Sequence, residues 1–324
     1  MAKAIRLYEP GGAEVLTLDD IAVPEPGAGE VTIRQTAVGV NFIDIYQRSG
    51  LYKLPGFPSG LGMEAAGVVE QVGVGVKFKP GDRVAYCGGP VGAYAAYRTL
   101  AAKYVVKIPP GVSDQIAAAA MVKGLTAHYL LRVTFRVKPG DTVLIHAAAG
   151  GVGLIACQWA KHLGATVIGT VGSEEKALLA KENGCDHPIV YTRDNFVQKV
   201  KEITQGRGVD AVYDSVGKTT FMDSLDALKK FGILVSFGQS SGAIAPFDIG
   251  ILAQKGSLYL NRPTLMHHIE DAEAYAGHAQ ELFDLIGRKI INIRIHGTYP
   301  LCDASQAHID LESRKTSGAL VLTL

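Results

Sequence analysis

The sequence has no apolar run near the ~20 residues that a membrane-spanning helix needs. Its opening, MAKAIRLYEP, has no apolar core of the kind a secretory signal carries. Net charge is nearly absent: 32 basic against 31 acidic side chains leave +1. No broad field therefore draws the chain to nucleic acid or to a membrane surface. Cysteine is scarce and scattered, at Cys87, Cys157, Cys185 and Cys302. No two sit at C-x-x-C spacing, which suggests neither a structural zinc site nor a redox motif. Such cysteines read as reduced thiols of a cytoplasmic protein. Internal repeats, linker runs and low-complexity segments are also missing.

What remains is a chain of 324 residues, 48% hydrophobic and 19% charged, long enough for two globular domains. Residues 1–122 look strand-rich. Glu30 to Val38 alternates at period two for part of its length. Turn clusters punctuate this region at Pro10-Gly11-Gly12, Pro24-Glu25-Pro26-Gly27, Pro80-Gly81-Asp82 and Pro109-Pro110-Gly111, a spacing that suits a Greek-key-like β domain. Asp114 to Arg132 is rich in Ala and Leu and free of proline, so it predicts helix. Strand and helix patterns then alternate: Thr142–His146, Thr166–Thr170, a helix from Glu174 to Asn183 closed by Gly184, Val209–Asp214 and Ile233–Phe237. That alternation predicts an α/β fold with a doubly wound parallel sheet. Residues 269–289 read as helix and Ala319–Leu322 as a last strand. The simplest architecture inserts the α/β domain, 123–264, into the first one, with 265–324 returning to it.

After the strand Thr142–His146 comes Ala147-Ala148-Ala149-Gly150-Gly151-Val152-Gly153, then a helical pattern from Leu154 to Leu163. Strand, glycine turn and helix are the context of a dinucleotide fingerprint. Gly150 and Gly151 let backbone amides approach a pyrophosphate at the helix N-terminus, and Gly153 permits close helix–sheet packing. Ala148 stands where the first glycine is usual. An NAD site wants an acid near the end of the second strand, for the ribose hydroxyls. Here the strand runs out as Thr170-Val171-Gly172-Ser173, with no acid at its tip. Lys176 follows, with a side chain suited to a 2′-phosphate, and Glu174 and Glu175 read as first-turn acids of the next helix. The missing acid favours NADPH.

Several stretches have a shared character: Gly39-Val40-Asn41-Phe42-Ile43-Asp44-Ile45-Tyr46, Arg48-Ser49-Gly50-Leu51-Tyr52, Gly62-Met63-Glu64-Ala65-Ala66-Gly67-Val68-Val69 and Lys123-Gly124-Leu125-Thr126-Ala127. Further along come His146 to Gly153, Tyr213-Asp214-Ser215-Val216-Gly217 and Val235-Ser236-Phe237-Gly238. Through these stretches the chain as a whole resembles the zinc-free, ζ-crystallin-like quinone oxidoreductases of the medium-chain dehydrogenase/reductase superfamily. The resemblance implies a Rossmann-type domain inserted into a GroES-like catalytic domain, NADPH as cofactor, a quinone substrate and a homodimer. Zinc-dependent members of the superfamily read Gly-His-Glu where this chain reads Gly62-Met63-Glu64, and hold a ligand cysteine at the position of Asn41. A third ligand falls near Val122-Lys123. A thioether, an amide and an aliphatic or ammonium group cannot replace those donors, so no metal is expected.

The resemblance also implies the site. Asn41, Asp44, Tyr46, Tyr52 and Lys123 are the expected polar lining of the catalytic cleft. Asn41 would bond an acceptor oxygen or the nicotinamide ribose, with Tyr46 beside the cofactor. Tyr46 and Tyr52 would stack on a flat substrate or donate a proton. Gly150, Gly151, Val152, Gly172, Ser173 and Lys176 are expected at the cofactor, with Tyr191 covering the adenine. Ser215, Phe237, Gly238, Ser240 and Arg262 complete that set. His128, His146, His267 and His268 are assigned no catalytic role. Two rivals stand beside quinone reduction by hydride or single electrons. One is an NADPH-dependent reductase of α,β-unsaturated carbonyls. The other is a crystallin-like structural or RNA-binding protein, against which the near-neutral charge argues. Finally, the β-prone run that ends Gly250 to Leu260 is expected at a sheet edge, where a two-fold partner would bury Leu258 or Leu260.

Overall fold

Thr142–Ile145 is buried at all four positions, and Val209–Asp214 at all six. Strands covered on both faces lose the in–out alternation of a surface strand and read as continuous apolar runs, as parallel sheets require. The computed structural model, which describes all of Met1–Leu324, puts these two side by side at the centre of a six-stranded sheet. Its order is His187–Val190, Thr166–Val171, Thr142–Ile145, Val209–Asp214, Leu228–Ser236, Tyr259–Asn261, and every pairing is parallel. The order reverses between the two central strands, which makes their carboxyl ends the natural ligand crevice. Helices Gly151–His162 and Glu174–Glu182 follow the first two strands of the chain in this sheet. Leu144, Ile168, Val212 and Leu234 of the sheet pack with Phe196, Val200, Phe221 and Leu225 in one core. This unit spans Thr126–His268 and takes back Ile290–Asn292, which Gln158 holds by exchanging two hydrogen bonds with Asn292 (2.8 and 3.1 Å).

The other unit comprises Met1–Leu125, Ile269–Lys289 and Ile293–Leu324. Its spine is the eleven-residue strand Glu30–Val40. That strand pairs antiparallel with Glu64–Val72, Tyr97–Ala101 and the last strand, Ala319–Thr323. The returning tail is thus part of the first sheet, as the inserted-domain architecture requires. Its core gathers Ile33, Val38, Leu61, Val69, Tyr86 and Tyr94 with Leu320 and Leu322 from the tail.

The edge strand Tyr259–Asn261 is where the sequence places it, with Tyr259 60% and Leu260 37% exposed. Leu258 departs from expectation. It is 6% exposed and belongs to the core of its own unit, because it directly follows the turn after helix Gly250–Gln254 and folds inward. It is not available to a partner.

No helix is long and apolar enough to cross a membrane.

Candidate active site

Asn41 ends the strand Glu30–Val40 and is the N-cap of the short helix Phe42–Arg48. Glu64 opens the neighbouring strand, and Val38 pairs with Ala65, so the two side chains meet. Asn41 Nδ2 donates to Glu64 Oε1 at 2.8 Å. Lys123, on the helix Asp114–His128, donates to Asn41 Oδ1 at 2.8 Å and to Glu64 Oε1 at 3.1 Å. Glu64 Oε2 accepts the backbone N–H of Val122. All three side chains are buried. A buried ammonium and carboxylate persist only when paired and hydrogen-bonded, and this triangle does both. Two of the three Lys123 protons are used in it.

The expected lining is redistributed. Asp44 is fully buried and lines nothing open, because it is drawn inward as a helix cap. Its Oδ2 accepts the Asn41 N–H at 2.9 Å and the Tyr94 hydroxyl at 2.9 Å. Burial, opposed by these donors, pushes its carboxyl up to about 7. Tyr46 and Tyr52 do pair at a partly exposed surface. Their ring centroids lie 5.1 Å apart, and Tyr46 is 6.0 Å from Phe42 one turn earlier. Asn41, Asp44, Tyr46, Tyr52 and Lys123 all belong to the antiparallel unit.

The donor set does not fit zinc. An ammonium on Asn41 repels a divalent cation, and Met63 is packed in the core with its sulfur 3.8 Å from Gln47 Nε2. No group of three or more His, Cys, Asp and Glu side chains is placed to hold a metal ion.

In the parallel unit the glycine turn follows the central strand. Gly150 is the N-cap of helix Gly151–His162, so the amides of Gly151, Val152 and Gly153 open the helix without intrahelical partners. A Cβ on Gly153 would lie 2.3 Å from the Ala147 carbonyl oxygen, so only glycine lets the helix start so close. Ala148, in the place of the usual first glycine, is accommodated from the far side: a Cβ on Gly169 of the next strand would lie 2.6 Å from its methyl. The positive φ of the turn falls on Ala147, at 53°. This cradle fits a dinucleotide pyrophosphate.

The other expected cofactor residues gather at the same carboxyl edge. Ser173 caps helix Glu174–Glu182, accepting from the Lys176 N–H, and partial burial lowers the Lys176 ammonium pKa. The Tyr191 hydroxyl stands close over Gly172, 3.1 Å from where a Cβ would be. Ser215, Phe237, Gly238 and Ser240 are knit together. Phe237 N donates to Asp214 O at 2.8 Å and Ser240 N to Ser215 O at 3.1 Å. Arg262 donates to Ser236 O at 2.7 Å. The histidines take structural places: His146 bridges Thr170 (2.8 Å) and Ser224 (2.9 Å), His128 packs edge-on to Trp159, and His268 stacks on Tyr129.

Sequence reasoning passed over Glu64, Tyr94 and His308. Glu64 carried a signal, an acid opening an otherwise apolar buried strand. Tyr94 and His308 carried none, since the partners that define them lie 50 and 214 positions away in the chain.

Comparison with known proteins assigns the chain to a family. The zinc-binding dehydrogenase family model matches residues 151–276, and the alcohol dehydrogenase GroES-like domain model matches residues 27–110. Quinone oxidoreductase of Pseudomonas aeruginosa is 51% identical over 99% of both chains. The crystal structure of Escherichia coli quinone oxidoreductase complexed with NADPH superposes with a TM-score of 0.98, at 48% identity over 100% of both chains. A 2-haloacrylate reductase from a Burkholderia species is 43% identical over 99% of both chains.

Proposed function

Since this chain belongs to the quinone oxidoreductase family of the medium-chain dehydrogenase/reductase superfamily, we propose that it reduces quinones with NADPH and without a metal. The observation that carries the reading is the Lys123–Asn41–Glu64 triangle, a buried cation held where zinc-dependent members of the superfamily keep metal ligands. NADPH, when bound, supplies a hydride. A quinone is electron-poor enough to accept it without a Lewis acid, so the protein's task is position, orientation and exclusion of water. Tyr46 and Tyr52 offer aromatic faces to a flat ring. Their hydroxyls and the third Lys123 proton are the donors at hand for the oxygen that gains charge.

In this reading the cofactor domain is the parallel unit, Thr126–His268 with Ile290–Asn292, near the 123–264 expected from the sequence, and the rest of the chain, Lys123 included, is the catalytic domain. Gly150, Gly151 and Val152 hold the pyrophosphate. Gly172, Ser173 and Lys176 receive the 2′-phosphate, with Tyr191 against the adenine. Ser215, Phe237, Gly238, Ser240 and Arg262 line the rest. A homodimer formed at the Tyr259–Asn261 edge and a cytoplasmic location belong to the same proposal.

A second reading, reduction of an activated carbon–carbon double bond next to a carbonyl, is favoured by the likeness to the 2-haloacrylate reductase. One substrate panel tests both. NADPH oxidation is followed with a benzoquinone, a naphthoquinone, a simple enone and a 2-haloacrylate, and repeated with NADH. Turnover of the quinones with NADPH at higher kcat/KM supports the first reading. Preference for the haloacrylate or enone supports the second, and no turnover of any acceptor overturns both.

A further inference from the structure

A chain of buried hydrogen bonds crosses the antiparallel unit and ends at the active-site cap. Arg48, 3% exposed, donates through Nη2 to Glu312 Oε1 at 2.9 Å, and its Nη1 lies 3.1 Å from His308 Nδ1. A guanidinium has donors and no acceptor, so His308 Nδ1 must be bare. The imidazole is then neutral with its proton on Nε2, which lies 3.0 Å from the Tyr94 hydroxyl. Tyr94 accepts that proton's hydrogen bond and directs its own to Asp44 Oδ2 at 2.9 Å. The donors therefore all point one way, from Arg48 through His308 and Tyr94 to Asp44. Chains so aligned polarise each link in the same sense.

His308, Tyr94 and Asp44 are at most 1% exposed, so water cannot replace a lost link. The second oxygen of Asp44, Oδ1, is buried with no partner. The carboxyl is thus held by Oδ2 alone, through Tyr94 and the Asn41 N–H. We propose that His308 and Tyr94 are positioning residues for the reaction: their one-way donor chain keeps Asp44 an acceptor, and Asp44 in turn fixes Asn41 and the start of the helix that carries Tyr46. The proposal rests on the reading that Asn41, Tyr46 and Lys123 serve quinone reduction.

The charged and titratable groups around Asp44 come from several elements. Glu64 lies on the strand Glu64–Val72, Lys123 on the helix Asp114–His128, Tyr94 on the segment before Tyr97–Ala101, and His308 and Glu312 on the helix Ala304–Glu312. Arg48 ends the helix Phe42–Arg48, in whose first turn Asp44 lies. His308 itself is pushed down to about 3 by burial and by Arg48, so it stays neutral across the working pH range. Asp44 is the group that titrates near neutrality, and the Tyr94 hydrogen bond favours its charged form.

The test compares wild type with Tyr94→Phe, His308→Leu and His308→Gln in pH profiles of kcat and KM for a benzoquinone. The wild-type acid limb is expected near pH 7. Tyr94→Phe should raise its midpoint by roughly one pH unit, as loss of one donor to a buried carboxylate does. His308→Leu should shift it the same way. His308→Gln should restore the wild-type limb, because its amide accepts from Arg48 and donates to Tyr94. The Asp44 carboxyl 13C shift, assigned with Asp44→Asn, reads the same titration without turnover. Failure of quinone reduction in the wild type would therefore sink the proposed reaction and leave this chain to be judged by the carbon titration. An unmoved Asp44 midpoint in Tyr94→Phe, which loses one oxygen and no bulk, overturns the proposal even if His308→Leu does not fold. So does a midpoint in His308→Gln that tracks His308→Leu.

Discussion

The Lys123 ammonium sits 2.8 Å from the amide oxygen of Asn41, and both lean on the same oxygen of Glu64. A positive charge held there by a buried carboxylate leaves no anionic donor for a second cation. Protein purified without added metal is expected to carry no stoichiometric zinc by elemental analysis. A chelator should leave quinone turnover unchanged. One zinc per chain together with chelator-sensitive turnover would refute this account of Asn41, Met63 and Lys123.

Removing one partner of a buried pair strands the other. Lys123→Met leaves Glu64 uncompensated and should cost about 3–5 kcal/mol in urea unfolding. Adding Glu64→Leu should recover much of that loss, since the stranded charge goes with it. Equal losses in the single and double variants would show that the two charges are not coupled.

Stability should depend on pH through two opposed groups. Asp44 is raised from 3.8 to about 7, so its contribution is full below about pH 3.8 and is lost as pH rises through about 7. His308 is lowered from 6.5 to about 3 and must stay neutral in the fold, so its contribution is full above 6.5 and is lost as pH falls toward 3. His308→Gln removes the second effect alone. The Tm of this variant relative to wild type should therefore be more favourable at pH 5 than at pH 8. An equal difference at both pH values would mean that the fold does not hold His308 neutral.

Lys176→Ala should weaken NADPH binding about tenfold or more, the worth of ~1.5–3 kcal/mol for a charge-assisted contact, and leave NADH nearly unchanged. Fluorescence titration of both cofactors measures this. Equal weakening of the two would remove Lys176 from the phosphate site.

The exposed edge at Tyr259 and Leu260 should carry the two-fold contact. Sedimentation at micromolar concentration is expected to give a dimer mass, reduced to monomer by Leu260→Asp. A wild-type monomer, with or without NADPH, would dispose of the dimer. Leu258 is no probe of it, because charging a core residue tests folding instead.

By itself the sequence determined whatever depends on neighbours along the chain or on side-chain type. The run Thr142 to Leu163 shows a buried strand, a glycine turn and a helix, because strand burial, turn chemistry and helical spacing are local properties. Met63 and Asn41 rule themselves out as zinc donors by chemistry alone, wherever they lie. Tertiary structure decided what depends on enclosure and on contact between distant segments. Asp44 reads as a polar residue of the cleft, yet packing turned it into a buried cap beneath Tyr94, 50 positions away. Ala148 looks like a flaw in the fingerprint until Gly169 appears beside it on the next strand. Tyr94 and His308, 214 positions apart, meet only because the tail strand Ala319–Thr323 pairs with Glu30–Val40 and brings its preceding helix into the first unit. A hydrogen bond needs its partner within about 3 Å. Sequence spacing places such a partner only within one helix or turn, and across 214 residues the packed fold must do it.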